Sequence, residues 1–409
     1  MAKILFLTQI VPFPPDAGPK VKTYHVIRAL ADQGHSVTLV SFVRPEEVRH
    51  ISALQEICEA VHVVPIRRSR VADAGYMLRS YLTNRPFLIE RDDLRPMQDM
   101  VNSLVQKDDF QFIHADQLTM VQFAIRGASA FPNKKTKVIF DAHNAVWTIV
   151  ERMKENARWF LKPVLSIEAK RVKKYEGELL QTVDHVLAVT DIDRNLLEDA
   201  LYFSKENKNN RASPITVIPI AVDTKKLQPI NRKAGSKNIV TLGTLHYPPN
   251  ADGIRWFFNE VFPLVQKRVP DVTLTIIGKN PPRDFLDLSE SNQGTIKVTG
   301  YVDDLRPYLE ESALMVVPVR AGGGMRVRIL EAFSYGMPVI TTTVGLEGIH
   351  GTPDHDVLIG DTPVEFANRT IELLEDDSLQ EKLSNNGREL ATTKYDWQAV
   401  LSAMRPIYE

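Results

Sequence analysis

Cysteine is nearly absent from this chain: Cys58 stands alone among 409 residues. One thiol excludes an intrachain disulfide framework, so a packed core must hold the fold. With no segment that reads as an export signal, the lone cysteine points to a reducing cytoplasm. An excess of charge of either sign is also missing. The formal net charge is −1, so no global field marks a nucleic-acid partner. No apolar run reaches about 18 residues, which excludes a membrane-spanning helix. The opening MAKILFLTQIV is apolar, but PFPPD follows at once, and the segment reads as a first strand. Internal repeats of 20–50 residues and low-complexity tracts are lacking too, which excludes solenoids and propellers.

What is there is an ordinary globular composition, 44% hydrophobic and 25% charged. The length exceeds what one core usually supports, so two domains are expected. Charge is divided unevenly between them. Residues 1–222 carry 30 Lys+Arg against 26 Asp+Glu, and the remainder carries 20 against 25.

KILFLT (3–8) reads as a buried strand, followed by a Pro/Gly loop, a helix through Thr23 to Gln33 and the strand HSVTLVSF (35–42). Strand, helix, strand in this order is a βαβ unit and implies a parallel sheet. VHVVPI (61–66), FQFIHA (110–115), KVIFDAH (137–143), DHVLAVT (184–190) and ITVIPIAVD (215–223) continue the pattern. It restarts with NIVTLGTL (238–245), VTLTIIG (272–278), IKVTGYV (296–302), ALMVVPV (313–319) and PVITTT (338–343). Two such runs predict an α/β fold of two Rossmann-like, doubly wound domains facing across a cleft. The boundaries expected are 1–225 and 226–390, with a polar linker near Val222 to Ser236 and a tail, 391–409, that packs back on the first domain.

The stretch AGGGMRVRILEAF (321–333) follows a strand and opens a helix. Glycines let backbone N–H groups approach an anion, and a helix N-terminus favours phosphate. Arg326 and Arg328 add forked cations suited to phosphate oxygens. Glu331, further along the helix, is placed to accept from ribose hydroxyls. The pattern reads as a nucleoside-diphosphate site, against the alternative of a Gly-rich turn and an exposed Arg328–Glu331 pair. VPFPPDAGPKVK has no G-x-G-x-x-G, which argues against a dinucleotide oxidoreductase.

ADQGHSV, KRVKKYEGELLQTVDHVLAVTDIDRNLL, VIPIAVD, VTLTIIGKN, GYVDDLRPYL and GGGMRVRILEAFSYGMPVITT together resemble glycosyltransferase family 4, a family of retaining enzymes with the GT-B fold. The resemblance covers nearly the whole chain, is most specific from Gly300 to Thr343 and weakest over 70–110. It includes the family's GGG-x-R-x-K/R subgroup pattern. It implies transfer of a hexose-type sugar from a nucleotide-sugar donor, UDP- or GDP-linked, to an acceptor hydroxyl in polysaccharide or glycolipid synthesis, with no cofactor and no metal. Glu331 matches the ribose-binding glutamate of the family. The partner glutamate falls at Gly323, where the amides of Gly322, Gly323, Gly324 and Met325 must substitute. The Arg/Lys pair found beyond Gly243 in many members is missing, leaving Arg326 and Arg328 as diphosphate clamp, with His246 as helper or plain loop residue.

The same resemblance places Gly18 against the donor phosphate and acceptor, and Tyr301 or Val302 against the base. His143 becomes an acceptor-side catalytic residue. Asp116 has two readings: a carboxylate that orients or deprotonates the acceptor, or a helix N-cap. Asn144 is a weaker candidate. DID (191–193) and DHD (354–356) mimic a metal-binding motif but read as a helix start and a polar loop. Two basic stretches with aromatic residues, 67–87 and 151–174, suit peripheral contact with an anionic membrane. A GT-B sugar-nucleotide epimerase or a non-catalytic nucleotide-binding relative would share these features.

Overall fold

Apolar runs without alternation mark strands buried on both faces, and KILFLT and its successors fold in that way. The computed structural model describes all residues except 16, 17, 156, 205–211 and 293. The chain divides into two units, Met1–Pro219 with Leu401–Glu409, and Ile220–Val400.

The first unit holds β1 (Lys3–Thr8), β2 (Ser36–Val43), β3 (Ala60–Pro65), β4 (Phe112–Asp116), β5 (Lys137–Ala142), β6 (His185–Ala188) and β7 (Ile215–Val217). Their order in the sheet is β3-β2-β1-β4-β5-β6-β7. The second holds β8 (Asn238–Leu242), β9 (Thr273–Ile277), β10 (Ile296–Gly300), β11 (Leu314–Val317), β12 (Val339–Thr341) and β13 (Leu358–Ile359), ordered β10-β9-β8-β11-β12-β13. Pairings in both sheets are parallel. In each unit the chain order reverses beside the first strand, between β1 and β4 and between β8 and β11. Such switch points are where open α/β sheets bind ligands, beyond the strands' carboxyl ends.

Four helices of the first unit bear on its chemistry and its surface: α1 (Gly18–Asp32), α2 (Arg70–Thr83), α3 (Val146–Glu155) and α4 (Lys162–Leu179). In the second unit α5 (Pro248–Trp256) comes after β8, α6 (Val327–Ser334) comes after the glycine loop, and α7 (Asp377–Lys394) packs on α6. The α1 helix starts earlier than its apolar pattern suggests, because Pro19 is tolerated in a first turn where its missing N–H costs nothing. The strand β13 escaped the sequence reading; two residues are too short to show a period. Residues 222–236, read as linker, group with the second unit. Val222 bridges Asp396, and the Arg388 guanidinium holds the carbonyls of Thr224 and Leu227 at 2.9 and 2.7 Å. The tail forms helices Trp397–Ser402 and Arg405–Tyr408, and Tyr408 lies buried in the first unit.

Candidate functional site

Two clusters sit at the two switch points. In the first unit, register places Thr8 opposite Asp116 and Asp116 opposite Asp141. Side chains alternate along a strand, so Phe6 and Thr8, His114 and Asp116, and Asp141 with the following His143 share one sheet face. The α1 helix meets that face with polar groups. Thr23 Oγ1 lies 3.0 Å from both Asp116 oxygens and 2.8 Å from Pro19 O, and Thr8 Oγ1 lies 3.0 Å from Asp116 Oδ2 and 3.1 Å from Ile10 O. Lys22 Nζ lies 2.5 Å from Asp141 Oδ1, both side chains fully buried.

Asp116 then reaches outward to His143, whose Nε2 is 2.8 Å from Oδ1 and whose side chain keeps 10% exposure. An ionised carboxylate accepts the Nε2 proton, which leaves the Nδ1 lone pair for an outside hydroxyl. The N-cap reading of Asp116 is therefore corrected. The following helix, Leu118–Ala130, has Gln117, not Asp116, at its cap position, and the Asp116 carboxylate is engaged by Thr8, Thr23 and His143 instead. Asn144 is exposed, and Gly18 opens α1 with space around it.

Deeper in the same layer, His114 stacks on Phe6 with ring centroids 4.2 Å apart and bonds the Tyr408 hydroxyl through Nδ1. Burial opposes ionisation of Asp141, but Lys22, with His114 and His143, holds its carboxyl well below the usual range. Burial and the nearby Asp141 push the Tyr408 phenol well above its ordinary value. His114, Asp116 and Asp141 bring potential ligand atoms within 4.8 Å of one another. Lys22 already supplies a cation at Asp141, and two hydroxyls and an imidazole meet Asp116, while His114 Nε2 and Asp141 Oδ2 face each other at 3.6 Å without a hydrogen-bond partner.

The second cluster surrounds the glycine loop. Gly322 and Gly324 adopt φ of 95° and 86°, a left-handed region that side chains disfavour. They curl the chain so that Arg326 folds back on it. Its guanidinium donates to the carbonyls of Gly322 at 2.9 Å and Gly323 at 2.8 Å, and also to that of Gly324. Arg328, in the first turn of α6, donates to Leu242 O at the end of β8 and to Asn250 Oδ1 of α5, both at 2.6 Å. A Cβ on Gly243 would lie 2.5 Å from Arg328 Nη1, so the absence of a side chain there makes room for the guanidinium.

Burial and the neighbouring Arg326 push Arg328 down to about 10, with Glu331 pulling the other way. Burial raises the Glu331 carboxyl, opposed by Arg328. Met325 and Val302 pack against the core of this unit, while Tyr301 is 61% exposed and carries Lys279 Nζ 4.4 Å from its ring centroid. His246 is exposed in the loop after β8.

The structure thus assembles Gly243, the glycine loop, Arg326, Arg328 and Glu331 in the second unit, and Asp116 with His143 in the first. Three participants escaped the sequence reading. Asn250 pins Arg328, Lys279 covers Tyr301, and Lys22 neutralises Asp141. The period-2 pairs H-x-D (114–116) and D-x-H (141–143) were the available signal for the acceptor-side cluster. The DID and DHD motifs are consumed locally. Thr190 and Asp193 exchange hydrogen bonds at the start of helix Asp191–Ser204, and Asp356 accepts from Thr352 N–H while Asp354 pairs with Arg369.

Comparison with known proteins gives the family and the fold. The model for "Glycosyltransferase Family 4" matches residues 18–226, and that for "Glycosyl transferases group 1" matches 236–376. An "uncharacterized 44.6 kDa protein in cps region" of Klebsiella pneumoniae is 22% identical over 99% of both chains. An MMP alpha-(1->4)-mannosyltransferase of Mycolicibacterium hassiacum is 24% identical over 74% of this chain and 71% of its own. Among solved structures, Anabaena Alr3699/HepE in complex with UDP superposes with a TM-score of 0.66 at 15% identity, covering 99% of each chain. Sucrose-phosphate synthase from Thermosynechococcus elongatus gives 0.67 at 17%, covering 99% and 98%. Those structures establish the GT-B fold. With the family match extending over more than half of its length, this chain belongs to glycosyltransferase family 4, enzymes that use nucleotide-sugar donors.

Proposed function

We propose that the protein transfers a hexose-type sugar from a nucleoside-diphosphate-sugar to an acceptor hydroxyl, with retention of configuration, in polysaccharide or glycolipid synthesis. One observation carries the donor side. Arg328 is drawn in at the end of β8 and Arg326 onto the glycine loop, with Glu331 near them, and burial together with Arg326 depresses Arg328. A diphosphate relieves that repulsion. Arg326 shapes the glycine loop, so that the amides of Gly322 to Met325 and the start of α6 meet phosphate oxygens. Arg328 adds charge at the leaving group, worth roughly 2.7–4 kcal/mol of transition-state stabilisation for one well-placed donor. Glu331 takes the ribose hydroxyls, and the exposed Tyr301 ring, beside Val302, takes the base. The GGG-x-R-x-R form of the loop, with glycine at 323, supports the subgroup reading, in which backbone amides of the loop take over from the missing carboxylate.

On the acceptor side, His143 held by Asp116 orients the reacting hydroxyl, and Gly18 leaves room for the donor phosphate. As the bond from the anomeric carbon to phosphate breaks, the acceptor oxygen bonds to that carbon from the same face. The acceptor proton passes to the departing diphosphate. No metal enters this scheme, and the enzyme works in a reducing cytoplasm.

The test is release of nucleoside diphosphate from a panel of UDP-, GDP-, ADP- and dTDP-sugars, with Arg326→Ala and Glu331→Ala run alongside. Release from one donor, insensitive to chelator and lost in both variants, is the expected result. No release, together with no rise in melting temperature on adding UDP or GDP, overturns the assignment of 321–333.

A further inference from the structure

The segments 67–87 and 151–174 are separate in sequence but adjacent in the first unit. Arg171 Nε of α4 donates to Asn84 Oδ1, just past the end of α2, at 2.9 Å. The Phe87 N–H donates to Glu168 Oε1 of α4 at 2.6 Å. These bonds turn two basic stretches into one face.

That face is apolar and uncovered. Ser80 is the sole buried residue of α2 among its 14, so the helix offers almost nothing to the core. Instead Met77, Leu78 and Tyr81 stand exposed, Tyr81 at 73%. From the neighbouring segment Trp159, Phe160 and Val164 do the same, Trp159 at 83%. Isolated exposed apolar residues are commonplace, but a contiguous group marks an interaction surface.

The charge around it selects the partner. Residues 67–87 contain five arginines against Asp73, and 152–174 contain eight Lys/Arg against Glu155 and Glu168. Part of this charge is met by acids outside these two ranges, Arg68 by Asp92, Arg79 and Arg85 by Glu90, Lys154 by Glu151 and Lys173 by Asp199. Arg70, Arg158, Lys162 and Lys170 are exposed among the apolar side chains. A second copy of the face would set these exposed cations against their own kind. Aromatic rings and aliphatic groups rimmed by cations match the boundary of an anionic bilayer, where rings sit at headgroup level and each cation gains from surface potential.

We propose that α2 and the segment from Trp159 through α4 form one docking face for an anionic lipid surface. The face binds peripherally, since no helix among the described residues is long and apolar enough to cross a membrane. Because α3 opens just beyond His143, docking brings the acceptor-side histidine close to lipid. That last step rests on the transferase reading; the lipid binding does not.

The experiment is flotation of the full chain with vesicles of phosphatidylglycerol and phosphatidylcholine, and with phosphatidylcholine alone. Binding is expected to the anionic vesicles, at least tenfold weaker to the neutral ones, and reduced by added salt. Trp159 emission shifts to the blue on binding, and Trp159→Phe abolishes that shift. Leu78→Ser/Tyr81→Ser on α2 and Trp159→Ser/Phe160→Ser on the other segment each cut binding at least tenfold with unchanged circular dichroism. Donor release without lipid stays at the wild-type rate in both double variants, so failure of docking is distinct from failure of the transferase reading. Absence of binding to anionic vesicles overturns the proposal. So does binding that survives both double variants, or a concentration-dependent oligomer that dissolves in them, which would assign the face to a second copy of the chain.

Discussion

At the residue scale, the most consequential contact is one that a missing side chain permits. Gly243 leaves the corridor through which Arg328 reaches Leu242 O and Asn250, and alanine there would collide with the guanidinium at 2.5 Å and with Asn250 Nδ2 at 3.2 Å. Gly243→Ala is expected to lower donor turnover about 10²-fold, as loss of one oriented donor does, with the fold retained; initial rates and circular dichroism check it. Asp116→Asn keeps the shape but cannot favour the Nε2–H tautomer of His143. A drop of about 10²-fold in kcat, with little change in donor KM, is expected from misplacing the group that orients the acceptor hydroxyl.

Asp141 offers a stability test. Lys22→Met strands its buried carboxylate and should cost about 3–5 kcal/mol, whereas Lys22→Met with Asp141→Asn removes both charges and should recover most of the loss. Denaturant melts measure both. Because the folded-state Asp141 carboxyl lies below its ordinary 3.8, the unfolded chain binds the extra proton. The contribution is present above that value and fades as pH falls below it, and Asp141→Asn flattens this acid slope.

At the element scale, the fold uses a remote carboxylate to start a helix. Glu176, fully buried in α4, accepts the N–H groups of Val146 and Trp147 at 2.8 and 3.0 Å, the first turn of α3. Those donors have no partner inside the helix. Glu176→Ala orphans both and should cost about 2 kcal/mol, together with looser positioning of His143 at the helix entrance; thermal melts and acceptor-dependent rates separate the two effects. The strands were legible in the sequence because buried parallel strands are continuous apolar runs. β13 was not, being two residues long. The polar faces of β4 and β5 were legible in principle as H-x-D and D-x-H. Their joint meaning depended on strand adjacency and register, which no local pattern carries.

At the scale of the whole molecule, the last residues rejoin the first unit, and Tyr408 is fully buried against His114 and Phe112. Tyr408→Ala should cost about 3–5 kcal/mol, as loss of a large buried aromatic does. Hydrogen exchange should locate the effect: protection falls in residues 1–219 and is kept in 220–400. Equal loss in both would mean the tail serves the chain as a whole.

The sequence alone determined the class of fold, the two runs of strands, and the glycine–arginine–glutamate stretch that marks the family. Those features are local: apolar runs set burial, glycine sets backbone freedom, and neighbours along a helix set which charges meet. The tertiary structure alone decided what the charged groups do. It folded Arg326 onto its own loop, threaded Arg328 past Gly243 to Asn250, gave Asp116 to His143 rather than to a helix cap, and joined two distant basic stretches into one face. A side chain's partner depends on which strands lie side by side and in which register, and long-range packing fixes both.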